Sequence, residues 1–369
     1  MPSVVVRQTV NHLLETAYLK GAIDRTRPSQ VYIDITSRCN CRCVMCHVWK
    51  SEPSDELSTQ QWVDTLRDIA RWPGPGTKVN ISGGEPLLRA DLPELLGEAA
   101  RLGLAAGFVT NGTLITEEVA TAIVDSGVFN VNVSLDSLDP AIHDRLRGVA
   151  GTTVKALAAF DHLAAAAARR PERAFSIVVK TTIMEPTLDG LLDMVEFAAA
   201  KRLSGVLFQP LSPTFRAEEG GRWYEDNPLW VRDPHKAAVV IDELVARKER
   251  GLPILNSVDH LRTIATYLGD PEREGSGVCR VGSSNLTIWA DGAVPSLCRR
   301  LDHTDLGSAT SASLHDLWGG AQAKRMRKAI LACTHNCALT CQRSRSLREK
   351  AQLYLQLRQQ SRAAPAQAD

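Results

Sequence analysis

No apolar run in this chain of 369 residues reaches the length that spans a bilayer, about 20 residues. Met1 to Leu19 also lacks the contiguous apolar core of a secretory signal peptide. Neither membrane insertion nor export is expected, and the sequence reads as cytoplasmic. An excess of one charge is missing too. The 43 Lys and Arg against 42 Asp and Glu leave a net charge of +1, with no long basic or acidic run. A nucleic-acid partner therefore has no electrostatic footprint here. What the chain does hold is a 44% apolar composition, enough for one large domain and a small one. It also holds nine cysteines. In a reducing compartment these speak for metal or redox chemistry rather than disulfides, and an odd count leaves one unpaired in any disulfide scheme.

Three of the nine set the reading of the rest. Val31 to Thr36, rich in β-branched residues, reads as a strand that runs into a loop carrying Cys39, Cys43 and Cys46 at C-x3-C-x2-C spacing. Thiolates are the ligands of iron–sulfur clusters, and a cluster of four irons held by three of them leaves one iron open to a substrate or cofactor. Zinc is the alternative for such a set. Cys41 lies off the spacing and reads as a small buried side chain.

Further along, strands and helices alternate. Val4 to Leu19 is expected as a leading helix. Leu57 to Ile69 follows the cysteine loop, with Ser58 and Gln61 spaced as a capping box. A strand, Lys78 to Ser82, runs into Gly83-Gly84-Glu85-Pro86, where two glycines permit positive φ and close backbone approach. Strands then end at Thr110-Asn111-Gly112 and at Ser134-Leu135-Asp136, the second followed by Arg147-Gly148. Helices are expected at 92–101, 117–125, 151–168 and 188–201, and strands at 175–183 and 206–210. Six strand-then-helix units imply parallel strands joined by right-handed crossovers, with binding residues at the strands' carboxyl ends. Gln209, on the last of these strands, faces either a site or the core.

The cysteine spacing, Gly83-Gly84-Glu85-Pro86 at the next strand end, and the Thr-Asn-Gly and Ser-Leu-Asp-Ser…Arg-Gly segments resemble the radical S-adenosylmethionine (radical SAM) superfamily. Met45 departs from its pattern, which often has an aromatic residue there. The resemblance implies an α/β fold, a partial (β/α)6 barrel open on one side. It implies that Cys39, Cys43 and Cys46 hold a [4Fe–4S] cluster whose free iron chelates SAM, and that one electron cleaves SAM to a 5′-deoxyadenosyl radical. By the same resemblance, Gly83, Gly84, Glu85 and Pro86 meet the SAM amino group. Thr110, Asn111, Ser134, Asp136 and Arg147 line its pocket.

Five cysteines remain: Cys279, Cys298, Cys333, Cys337 and Cys341. Asn285 to Val294 reads as a β-hairpin around Asp291-Gly292 that brings Cys279 and Cys298 together. A helix over 313–331 then leads to the last three. This region resembles the auxiliary-cluster domains named twitch and SPASM. The full SPASM set needs about seven cysteines for two clusters, so the shorter form with one auxiliary [4Fe–4S] cluster is expected. Four ligands from five cysteines leave a spare among Cys333, Cys337 and Cys341, a possible hydrogen donor; zinc is again the alternative.

The resulting map is a helical extension (1–30), the barrel (31–212), a helical connection (213–275), the auxiliary domain (276–345) and a tail (346–369). The expected reaction is dehydrogenation of an alcohol on a small polar substrate, a sugar or aminocyclitol, with the auxiliary cluster taking the second electron. Reduction comes from a donor such as flavodoxin or ferredoxin. The alternatives are an epimerase that uses the spare cysteine, and a maturase of ribosomal peptides. Against the maturase stands the short stretch before the first strand, since many such enzymes begin with a peptide-recognition domain. Against a molybdenum-cofactor cyclase stands the missing terminal Gly-Gly. A simple electron carrier would need none of the strand-end motifs.

Overall fold

The computed structural model describes residues 4–21, 24–51, 55–213, 222–275 and 278–338. After α1 (Val4–Leu19) come β1 (Gln30–Thr36), α2 (Thr59–Arg71), β2 (Lys78–Gly83), α3 (Leu92–Arg101), β3 (Ala105–Thr110) and α4 (Glu117–Asp125). Next are β4 (Asn130–Ser134), α5 (Pro140–Arg147), α6 (Thr152–Ala168), β5 (Ser176–Ile183), α7 (Leu191–Ala200) and β6 (Gly205–Pro210). The chain continues through α8 (Pro234–Glu249), α9 (Val258–Gly269), a single turn α10 (Val281–Ser284), β7 (Asn285–Ile288), β8 (Ala293–Val294), β9 (Gly307–Ser308), α11 (Leu314–Gly319) and α12 (Ala321–Leu331). No described helix is long and apolar enough to cross a membrane.

Seven strands form one sheet in the order β6-β5-β4-β3-β2-β1-β7, and every neighbouring pair is parallel. Its alternation explains where the core lies. Val31, Ile33, Val79, Ile81, Phe108, Val131 and Phe208 are buried. Trp62, Leu66, Leu95 and Phe160 of the helices are buried in the same core cluster. Each such side chain contributes about 1.5–3 kcal/mol on burial. The alternate positions bear Tyr32, Asp34, Asn80, Ser82, Asn132, Ser134, Lys180, Thr182 and Gln209, all only half-buried. One face of the sheet is thus apolar under helices and the other polar, as an open barrel with a ligand inside requires.

The Ser58 capping box forms, with Ser58 N donating to Gln61 Oε1 at 2.9 Å and Gln61 N to Ser58 Oγ at 3.3 Å. Two expectations fail. The Asp291–Gly292 turn is present, Trp289 N donating to Ala293 O at 2.8 Å. Its arms nevertheless do not form the expected hairpin. β7 pairs in parallel with β1, through Gln30 opposite Asn285 to Ile33 opposite Ile288, while β8 pairs antiparallel with β9. The exposed backbone edge of β1 offers β7 a longer ladder than two-residue β8 can. The helix expected over 313–331 also breaks: Gly319 and Gly320 end α11, and Gly320 is extended, with ψ 161°. Adjacent glycines weaken a helix interior by about 1 kcal/mol each.

Candidate active site

Three strand ends converge on the cysteine loop. The β2 end meets it first: Gly84 N donates to Thr36 O at 2.7 Å and Glu85 N to Arg38 O at 2.8 Å. A Cβ on Gly84 would stand 2.0 Å from Arg38 O, and one on Gly83, at φ +112°, 2.4 Å from Thr36 O. The two glycines are thus required by the approach of one backbone to another, a demand any ligand contact would add to. Pro86 is buried and opens a single 3-10 turn, Pro86–Leu88.

Glu85 is 1% exposed and joins the β2 end to the β3 end. Its carboxylate accepts from Thr110 Oγ1 at 2.7 Å, Asn111 N at 2.8 Å and Leu87 N at 3.2 Å. Burial pushes its pKa up to about 7 against the pull of these donors. A folded-state pKa above the unfolded value means that the folded state binds the extra proton between about 4.5 and about 7. Stability from this group is therefore full below pH 4.5 and lost as pH rises to 7, by about 3 kcal/mol. In denaturant titrations the native chain should lose that much relative to Glu85→Gln across this window. Equal slopes for the two proteins would refute the assignment.

Asn111, at the end of β3, reaches the cysteine loop itself. Its Nδ2 donates to Asn40 Oδ1 at 2.8 Å, and Asn40 Nδ2 donates to Thr113 Oγ1 at 2.8 Å. On the other flank the end of α5 pairs with the loop backbone, Arg42 N donating to Arg147 O and Val44 N to Leu146 O, each at 2.9 Å. From there the Arg147 side chain turns inward. Its Nη2 lies 2.7 Å from Asp136 Oδ2, and its Nη1 3.8 Å from Cys43 Sγ. Asp136 Oδ1 accepts from Thr182 N at 2.9 Å. His143 Nδ1 accepts from Asp136 N at 3.1 Å, so the ring proton sits on Nε2; burial, aided by the Arg147 charge, lowers its pKa to about 4.

The thiols differ in character. Cys43 is shifted down, first by a hydrogen bond from the Cys41 thiol and then by the Arg147 guanidinium, which prepares it as a thiolate ligand. Burial raises Cys39, whose Sγ accepts from Cys41 N at 3.4 Å. The charges of Cys43 and Cys46 add to the rise at Cys39. No three Cys, His, Asp or Glu among the described residues stand at metal-ligating geometry. The donor set is nonetheless three soft thiols on one loop. Beside them Arg147 Nε, buried and without a hydrogen-bond partner, suits an anionic ligand. A thiolate-bound cluster and the carboxylate of SAM both fit this lining.

Of the sequence-derived residues, Gly83, Gly84, Glu85, Pro86, Thr110, Asn111, Asp136 and Arg147 all gather at the loop. Ser134 lies on the polar face, opposite Lys180 in register. Asn40, Thr113 and His143 were missed; nothing in their local sequence marks them.

Cys279, Cys298, Cys333 and Cys337 form a second group. Burial raises Cys279 to about 11, and the charges of Cys298, Cys337 and Cys333 add to the rise. A backbone bridge at Glu274 and His335, with Gly275 N donating to Thr334 O at 2.7 Å, ties the segment before Cys279 to the one that holds Cys333 and Cys337. His260 bonds Ala338 O at 2.8 Å, which fixes the turn beside Cys337. Cys341 lies outside the described residues.

Two family models match the segments that hold the two cysteine groups. The radical SAM superfamily model matches residues 33–208, and the model of an iron–sulfur cluster-binding domain, SPASM, matches 279–342. The chain is 31% identical over 196 residues to an AdoMet-dependent heme synthase of Methanosarcina barkeri, covering 52% of this chain and 53% of that one. It is 38% identical over 138 residues to a PqqA peptide cyclase of Streptomyces rochei, covering 36% of each. It thus spans about half or less of these two curated relatives. Streptococcus suis SuiB bound to S-adenosylmethionine superposes with TM-score 0.64 at 18% identity, over 85% of this chain and 71% of that one. The structure of anSMEcpe with bound AdoMet does so with TM-score 0.63 at 16% identity, over 90% and 96%. The chain therefore carries a radical SAM domain followed by a C-terminal SPASM domain, which imply S-adenosylmethionine and a [4Fe–4S] cluster as cofactors and an auxiliary iron–sulfur cluster.

Proposed function

We propose that this radical SAM enzyme modifies a peptide. The observation that carries the reading is the likeness to PqqA peptide cyclases, at 38% and 35% identity over 138 and 136 residues. A cavity of about 860 Å3 beside the cysteine loop supports it. Val44, Leu146, Pro186 and Trp223 line that cavity together with Arg145, Glu185 and Asp226. Such a mixed apolar and charged wall suits a chain segment. These observations favour the peptide over a sugar or aminocyclitol alcohol, the first expectation from sequence.

Bound SAM would supply the hydrogen-abstracting radical chemistry. The protein's part is placement. Cys39, Cys43 and Cys46 would hold the cluster, with Arg147 donating to the Cys43 thiolate. Arg147 Nε, buried and without a hydrogen-bond partner, would receive the carboxylate of SAM, and the Gly83–Pro86 loop would meet its amino group. Substrate lies against the polar face of the sheet, where Ser134, Lys180 and Gln209 stand near the strand ends. Cys279, Cys298, Cys333 and Cys337 would supply ligands of the auxiliary cluster. A flavodoxin or ferredoxin supplies the electron.

The test is an anaerobic assay with dithionite, SAM and short peptides encoded beside the gene, read by mass spectrometry. A peptide lighter by about two mass units, formed with one equivalent of 5′-deoxyadenosine, is the expected result. A ketone formed from a sugar or aminocyclitol, with no peptide altered, would restore the dehydrogenase reading. A mass unchanged in ordinary water, with one deuterium gained in heavy water, would indicate the epimerase.

A further inference from the structure

We propose that Glu56 is a positioning residue for the SAM-cluster loop. It acts through Thr36 and Ser37 and is itself held by Arg89. The proposal concerns cofactor binding and is independent of the identity of the substrate.

Glu56 lies outside every sequence motif, on the segment that leads into α2. Its Oε1 accepts from Thr36 Oγ1 at 2.6 Å and from Ser37 N at 3.1 Å. The Thr36 hydroxyl, fully buried, in turn accepts from Arg38 N at 3.1 Å. One carboxylate oxygen thus fixes three consecutive residues, Thr36 to Arg38, directly before Cys39. The carbonyls of the same turn, Thr36 O and Arg38 O, receive Gly84 N and Glu85 N. Moving the turn would therefore displace a cluster ligand and the Gly83–Pro86 loop together.

The other oxygen, Oε2, faces Arg89 Nη1 at 3.5 Å and Arg38 Nη2 at 3.6 Å. Arg89 is locked by Asp91 at 2.9 and 2.6 Å, and its Nη1 also donates to Leu57 O at 3.0 Å. Its side chain is 7% exposed and that of Glu56 15%. A buried pair of this kind adds little net stability compared with apolar packing. What it fixes is geometry, because a carboxylate accepts several donors from set directions. Leu57 N donates to Ala290 O at 2.7 Å, so the segment is also tied to the turn that follows β7.

The proposal is tested on the full-length, anaerobically reconstituted protein. SAM affinity is read by equilibrium dialysis, cluster environment by the change in the reduced-cluster EPR signal on adding SAM, and folding by thermal unfolding. Glu56→Ala should weaken SAM binding about tenfold and blunt the EPR change, since two hydrogen bonds to the turn are lost. Glu56→Gln keeps an acceptor at Oε1 and should stay within about threefold of the native affinity. Thr36→Val removes one of these two hydrogen bonds, and the acceptor of Arg38 N, from the other end. It should also weaken SAM binding, and the double variant should lose less than the sum of the two single losses. Native SAM affinity in Thr36→Val would overturn the proposal even if Glu56→Ala does not fold. So would a Glu56→Gln variant as weak as Glu56→Ala.

Discussion

Replacing Cys39, Cys43 and Cys46 together by alanine should abolish 5′-deoxyadenosine formation and leave about four irons per chain, the content of one cubane cluster. Loss of activity follows from the ligand count. With three protein thiolates as ligands, the fourth iron would be left open for SAM. Cys41 is the nearest other thiol, but it is 1% exposed and its proton is held by hydrogen bonding to Cys43. The retained iron follows from the second group, Cys279, Cys298, Cys333 and Cys337, which is built from other segments. Cys41→Ala is the internal control and should keep most SAM cleavage, at a cavity cost of about 1 kcal/mol. Undiminished cleavage in the triple variant would reject the cluster assignment. Zinc in place of the remaining iron would reject the auxiliary one.

The sequence shows the site wherever the chemistry is local. Three cysteines on one loop, a Gly-Gly-Glu-Pro turn and polar strand ends all lie within short stretches, and each sits where its strand was expected to end. Less legible are the residues that hold these pieces against one another. Asn40 meets Asn111 across 71 positions and Thr113 across 73, and Thr36 meets Glu56 across 20. A solvated loop asparagine and a tertiary clamp have the same sequence until the fold joins them.

The auxiliary region shows the same limit in the backbone. Asn285 to Ile288 carries the alternation of a strand, and Asp291-Gly292 the signature of a turn, and both form. The choice of partner is what the pattern left open. A turn favours a local hairpin, but the free edge of β1 lies more than 200 positions away in sequence and wins. The role of the paired glycines is also refined. Positive φ and close backbone approach to a ligand were the expectation for Gly83 and Gly84; Gly83 has φ +112°, and the approach their missing side chains allow is between the backbones at the ends of β1 and β2.

Gly148→Ala should cost the radical SAM site its iron and most of its activity, while Gly151→Ala, three residues on, should cost neither. Both glycines lie in the left-handed region, at φ +68° and +77°. Any L side chain there brings a penalty of about 1–2 kcal/mol, and that part of the effect is common to the two variants. They differ in space. A Cβ on Gly151 meets nothing within 4 Å, whereas one on Gly148 would stand 2.3 Å from Arg42 O and 2.9 Å from Arg42 C. That obstacle is backbone and cannot rotate away. Arg42 is paired through its own N–H to Arg147 O, and Val44 to Leu146 O, so relief requires the cysteine loop to lift off the end of α5. Lifting it carries Cys43 away from Arg147, the group that favours its thiolate. Iron per chain, 5′-deoxyadenosine yield and thermal unfolding should be measured on both variants. Gly148→Ala is expected to lose about four irons and at least tenfold in yield, with the auxiliary cluster kept. Gly151→Ala should show only the small loss of stability. Equal behaviour of the two would mean that backbone conformation alone, and not the seating of the loop on α5, governs this corner.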